Sequence, residues 1–149
     1  MPKIDIATAP TRKGSSYPAP FDQPVAERLR HRLGDAGGIT DFGVNLMHLP
    51  PGVWSSQRHW HSQEDELVFI LEGEVVLVED AGETILRPGD CATFAKGSAN
   101  GHHLINRGTT MAKFLEIGSR HEADECSYPD IDLHAVGDGY IHKDGTPYK

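Results

Sequence analysis

Between Phe42 and Ile117 the chain is cut into short apolar runs by turn-forming residues. The cuts fall at Pro50-Pro51-Gly52, Glu72-Gly73-Glu74, Asp80-Ala81-Gly82, Pro88-Gly89-Asp90 and Asn106-Arg107-Gly108. No useful helical period survives between them, which leaves strands. The expected strands cover residues 42–49, 55–61, 66–71, 75–79, 83–86, 91–94, 102–105 and 111–117. Short strands at regular intervals, joined by Gly and Pro turns, predict a sandwich or small barrel.

The flanks read differently. Residues 1–38 form an N-terminal arm, rich in Pro, Ser, Gly and Thr over its first two thirds. Within it, VAERLRHRL (25–33) fits a short helix after Pro24, or a strand on the alternation of Leu29, His31 and Leu33. Residues 34–38 are expected to turn. Residues 118–149 form a C-terminal tail that drapes over the barrel or over a partner. One more extended piece is expected at 128–133 and a turn at 142–148. The whole chain, 149 residues, is the size of a single domain, with its core at about 42–117.

Charge and composition exclude several classes. A formal net charge of −8 argues against nucleic acid, whose phosphates call for clustered Lys and Arg. No apolar run approaches the roughly 20 residues of a membrane helix. The first 18 residues lack the apolar core of a signal peptide. A soluble, cytoplasmic protein is expected, with Cys91 and Cys126 as free thiols. Cys91 is read as a small buried hydrophobe.

Chemistry concentrates at residues 52–73, GVWSSQRHWHSQEDELVFILEG. On a strand, residues two apart share a face, so His59 and His61 present two imidazoles to one cavity while Arg58 and Trp60 point away. Gln57 shares the face of the histidines and is a candidate lining residue. Asn45, Met47 and His48 on the preceding strand are others. Imidazoles with a carboxylate suit a first-row divalent metal. Glu66 begins the next apolar run; Glu64 and Asp65 read as a solvated loop. His31, His121, His134 and His142 have no ligand spacing and read as surface residues. Trp54 and Trp60 read as packing.

Gly52, His59-Trp60-His61, four residues, Glu66, six residues and Gly73 resemble the first cupin motif. Gly89, five residues, Ala95-Lys96-Gly97, four residues, His102, three residues and Asn106 resemble the second. Ala95 stands where that motif usually has Pro, and the loop before His102 is two residues longer. The intact spacing from His102 to Asn106 favours His102 over His103. The resemblance implies an all-β, cupin-type, jelly-roll-like β-barrel. It implies one divalent transition metal per chain (Fe, Mn, Ni, Co or Zn) held by His59, His61, Glu66 and His102. It also implies a small-molecule ligand or substrate, with dioxygenase, isomerase or lyase/decarboxylase chemistry, or binding without catalysis. A homodimer is expected, paired through edge strands. An anionic substrate needs a cation at the mouth, for which Arg87, Lys96, Arg107 and Lys113 are the nearby candidates.

Overall fold

The computed structural model describes residues 2–149. Its strands are β1 (Thr11–Lys13), β2 (Leu29–Arg32), β3 (Phe42–Leu49), β4 (Trp60–His61), β5 (Glu66–Glu72), β6 (Val75–Glu79), β7 (Gly82–Leu86), β8 (Cys91–Phe94), β9 (His103–Ile105), β10 (Ala112–Ser119), β11 (Glu125–Ser127), β12 (His134–Val136) and β13 (Gly139–Ile141). One helical turn, α1 (Leu33–Ala36), lies where a turn was expected. It is followed by Gly37-Gly38, with Gly38 in the left-handed region at φ 75°. No helix among the described residues is long and apolar enough to cross a membrane.

Three sheets make an open jelly roll. The largest runs β1-β2-β3-β10-β5-β8, a second runs β7-β6-β9, and a third runs β13-β12-β11-β4. All pairings are antiparallel. Met47, Leu49, Val68, Ile70 and Phe114 from the six-stranded sheet pack against Val75, Leu77, Leu86 and Leu104 from the three-stranded one. That cluster is the core. At about 25 cal/mol per Å² of buried apolar surface, it is what holds the two sheets together. Gly73 is required where it stands: its φ is 73°, and a Cβ there would sit 2.7 Å from the Met111 carbonyl oxygen.

The N-terminal arm is built into the largest sheet. In the ambiguous 25–33 segment, a 3-10 turn at Gln23–Val25 precedes the strand β2. β2 pairs with β3 on one side and β1 on the other. The tail lies against the jelly roll: β11 pairs with β4, and Tyr128 and Leu133 are buried at 4% and 0% exposure. The extended piece expected at 128–133 is instead the connection between β11 and β12. The terminal turn at 142–148 is present, closed by Gly145 N–H to the His142 carbonyl.

Two expectations fail for physical reasons. Residues 55–61 do not form one strand; only Trp60–His61 pairs as such, and His59 makes an isolated bridge to His102. Side chains compete with the ladder there. Ser55 Oγ accepts the Leu104 N–H at 2.9 Å, and Gln57 Nε2 donates to the Phe21 carbonyl at 2.9 Å. Cys91 is exposed rather than buried. Ala92 and Phe94 are the residues of β8 that pack on the core, so alternation turns Cys91 outward.

Candidate metal centre and cavity

Glu66 opens β5, paired on one side with Gly118 and on the other with Phe94. Its Oε1 is the point on which three imidazoles converge. His61 Nε2 lies 2.7 Å away, His102 Nε2 3.4 Å and His59 Nε2 3.5 Å. Each ring is held by its other nitrogen. His61 Nδ1 is 2.6 Å from Asp124 Oδ2, His59 Nδ1 2.8 Å from the Gln57 carbonyl, and His102 Nδ1 3.3 Å from the Asn100 carbonyl. When such a ring is neutral, an acceptor at Nδ1 keeps the proton there and leaves the Nε2 lone pair for an ion. Phe94 stacks on His102 at 3.6 Å and 3°, fixing the plane of that ring.

These residues fit a divalent metal. Ligands about 2.1 Å from an ion and roughly at right angles lie about 3 Å apart, which matches the separations from Glu66. Glu66 Oε1 and His102 Nε2 are buried without a good hydrogen-bond partner, a costly state that an ion relieves. His59, His61 and Glu66 form the tighter group that could hold an ion, and His102 approaches it from across the bridge to His59. His103, the neighbour set aside on spacing, gives its Nδ1 to the Ser56 carbonyl at 2.9 Å and packs edge-on to Trp54.

Without an ion, the cluster stores its charge as an ion pair. Burial disfavours the charged form of His61, but the nearby Cys126 and Glu66 outweigh it and push its pKa up to about 12. Burial likewise pushes Glu66 upward, and the three imidazoles facing it, His102, His59 and His61, more than reverse this, holding the carboxylate well below its usual range. Any metal must therefore displace a proton from His61.

The cluster lies at one side of a cavity of about 360 Å³, lined by residues from all three sheets, a size suited to a small metabolite. Asn45 lines it, whereas Met47 is core and His48 packs at a tilt against His31 on the outer face. Gln57 does not line it, because its amide is committed to Phe21. Arg58 points away, as its parity requires, and grips Asp130 at 2.7 and 2.8 Å together with Asp80. The expected mouth cations are elsewhere: Arg87 pairs with Glu74, Arg107 with Glu83 and Lys113 with Glu72. Lys96 does not line the cavity either.

The cavity's cations are Arg12, Arg28, Arg30, Arg32 and Arg120, none of them singled out from the sequence. A signal was present: Arg28, Arg30 and Arg32 are two apart, so a strand at 25–33 puts all three on one face. Asp124, Cys126 and Tyr128 were also missed. They come from the tail, whose pairing to β4 nothing local encodes. Cys126 Sγ sits 3.2 Å from His61 Nδ1, and burial pushes its thiol upward against the pull of that ring. The longer loop before His102 has a use as well. A Cβ at Gly101 would meet Pro129 Cγ at 2.8 Å, so the tail docks on that loop.

A cupin domain family matches residues 45–118. The chain is similar to a solved structure of a sugar phosphate isomerase from the cupin superfamily of Silicibacter pomeroyi. Identity is 43%, with 99% of this chain and 97% of that one covered and a TM-score of 0.94. It is similar to a putative sugar phosphate isomerase of Acidithiobacillus ferrooxidans at 27% identity, covering 93% and 90%, with a TM-score of 0.78. A predicted oxalate decarboxylase of Thermotoga maritima matches at 26% identity over 64% of this chain and 82% of its own, with a TM-score of 0.56. No curated protein sequence matches significantly. The chain belongs to the cupin superfamily.

Proposed function

We propose that this cupin is a metal-dependent isomerase acting on a small phosphorylated sugar. The observation that carries it is the set of three histidines, each tied at Nδ1, aiming Nε2 at one carboxylate oxygen inside a metabolite-sized cavity. The likeness to a sugar phosphate isomerase, over nearly all of both chains, supports this substrate class. His59, His61, Glu66 and His102 would hold one divalent ion from the group Fe, Mn, Ni, Co and Zn, all of which accept imidazole with carboxylate. Bound there, such an ion supplies Lewis acidity toward a carbonyl or hydroxyl oxygen.

The chain's own groups do the rest. Isomerisation moves a proton between adjacent carbons, and that needs a base near the substrate. Glu116 lines the cavity outside the ligand set, steadied at Oε1 by Asn45 Nδ2 and Arg30 Nη2, each at 3.3 Å. It takes the proton from one carbon and returns it to the next. Tyr17, Tyr128 and Tyr140 form an aromatic wall with centroids 5.5 and 5.8 Å apart, against which a sugar can lie.

The protein is proposed to work as a homodimer. The outer face of the largest sheet leaves Phe42, Phe69 and Leu71 between 38% and 43% exposed, and a second copy would cover them. Free Cys91 and Cys126 support a reducing, cytoplasmic setting.

Metal content after reloading with Fe, Mn, Ni, Co and Zn is the first test, and stoichiometric binding is expected. Incubation of the loaded protein with sugar phosphates in D₂O, followed by NMR, should then show solvent deuterium entering at the carbon next to the carbonyl. Thermal stabilisation by these sugars with neither exchange nor product, for every metal tried, would establish a binding protein instead. Light scattering that finds only monomer would sink the dimer.

A further inference from the structure

At the arginine end of the cavity, guanidinium groups outnumber the carboxylates that pair with them. Arg32 and Arg120 share Asp35, each at 2.8 Å. The other three arginines have little to pair with. Arg12 stands directly opposite Arg30 in the β1–β2 ladder, an arrangement of like charges that destabilises a sheet. Among the described residues, Arg12 makes no ion pair. Arg30 has one long contact to Glu116, at 3.3 Å, and its Nε is buried with no hydrogen-bond partner. Arg28 is 7% exposed. Among the described residues it donates only to the carbonyls of Gly14, at 3.0 Å, and Ser55, and meets no carboxylate. Burial first, and then the charge of Arg30, lower its pKa.

Three guanidinium groups thus share one carboxylate, in a chain whose net charge is −8. Arg28 is buried and Arg30 partly buried, and unbalanced positive charge in such places is expensive unless a counter-charge arrives. Guanidinium is the group that binds phosphate by paired, parallel hydrogen bonds.

The placement is also informative. On the inner face of the largest sheet, Arg32 sits opposite Asn45, Asn45 opposite Glu116 and Glu116 opposite Val68 on β5. Glu66 is two residues along β5 from Val68, on the same face. Three strand steps separate β2 from β5, which is about 14 Å between Cα rows. Side chains reaching in from both rows shorten that span to one that a short carbon chain can bridge. Glu116 stands between the two ends.

We propose that Arg12, Arg28 and Arg30 form an anion subsite that takes the dianionic phosphate of a phosphate monoester, while the histidine and Glu66 cluster takes its other end. The substrate is then measured from both ends, and its middle carbons lie beside Glu116. This rests on the isomerase reading for what happens at the far end, but not for phosphate binding itself.

The test begins with inorganic phosphate and the full chain. Phosphate should stabilise the protein in thermal shift and compete with the substrate. Acetate, matched in ionic strength, should do neither. R12M, at an exposed position, should weaken phosphate binding roughly tenfold with stoichiometric metal retained. R30M should do the same and more. With a phosphorylated substrate R12M should raise KM at least tenfold and change kcat less, and the unphosphorylated parent sugar should be handled alike by R12M and wild type. Equal phosphate protection in wild type, R12M and R30M overturns the subsite, as does protection by acetate equal to that by phosphate. If the protein holds no metal but loses phosphate protection in R12M, the subsite stands and the isomerase reading falls. If metal binding and turnover are intact and KM for the phosphate ester is unmoved by R12M, the reverse holds.

Discussion

The two ends of the cavity are built in opposite ways. The metal end is compact: two of its histidines and its carboxylate lie within residues 59–66, and three Nε2 atoms stand 2.7 to 3.5 Å from one oxygen. The arginine end is assembled mostly from the N-terminal arm, and the aromatic wall joins Tyr17 of the arm to Tyr128 and Tyr140 of the tail. The jelly-roll strands supply a rigid platform for a charge-dense cluster. The terminal segments decide what can lie over it. The metal end and the arginine end are thus carried by largely different segments of the chain.

The largest effect should come from the metal end. H61A removes the ring tied to both Glu66 and Asp124 and should lower metal affinity at least a hundredfold, as judged by metal content after dialysis. H103A, whose ring serves Ser56 and Trp54, should leave metal content unchanged. If both variants lose metal alike, the convergence on Glu66 has been misread.

Next is Glu116, the group proposed to move the proton. E116Q keeps the size of the side chain and should cost between a hundredfold and ten-thousandfold in kcat with metal retained, in the range of general-base losses. Deuterium exchange at wild-type rate in E116Q would assign the base elsewhere.

The tail is tested through its packing. Leu133 is fully buried, and L133A should cost about 2–5 kcal/mol in urea unfolding. If the tail is a loosely held lid, that cost would be far smaller, and the comparison between platform and cover would sharpen accordingly.

The smallest effect concerns pH. Hydrogen bonding to Arg58 holds the Asp130 carboxyl below its ordinary value. Its stabilising share is complete above the unfolded-state value near 3.9 and is lost as pH falls through the lower folded value. Asp130 is more than half exposed, so the share is less than about 1 kcal/mol. The urea midpoints of wild type and D130N should differ at pH 6 and converge as pH falls through the lowered folded value.

Much of the platform was legible locally. The strands at 42–49, 75–79 and 91–94 lie where apolar runs and turn residues put them. His59, His61, Glu66 and His102, chosen by motif spacing, are the residues the fold brings together. Where side chains outbid the ladder, local reading failed. Ser55 and Gln57 spend their polar groups on Leu104 and Phe21, so the stretch before Trp60 is not a strand. Parity failed at Cys91, where the packing of its neighbours, not its own chemistry, set its direction. The cations failed most completely. Arg87, Arg107 and Lys113 are near the motifs in sequence, but each is paired with a carboxylate outside the cavity.

By itself the sequence determined the strand cadence, the cupin motifs and the identity of a cluster able to hold a metal. Those depend on period-two alternation and on spacing along one or two neighbouring strands, which are short-range properties of a chain. Only the tertiary structure decided that Arg12, Arg28 and Arg30 face the cavity, that Asp124 orients His61, and that Tyr128 closes the wall. Each of these rests on a pairing between segments distant in sequence, β2 with β3 or β11 with β4. Such pairings are selected by the surface they bury together, and neither partner carries that information alone.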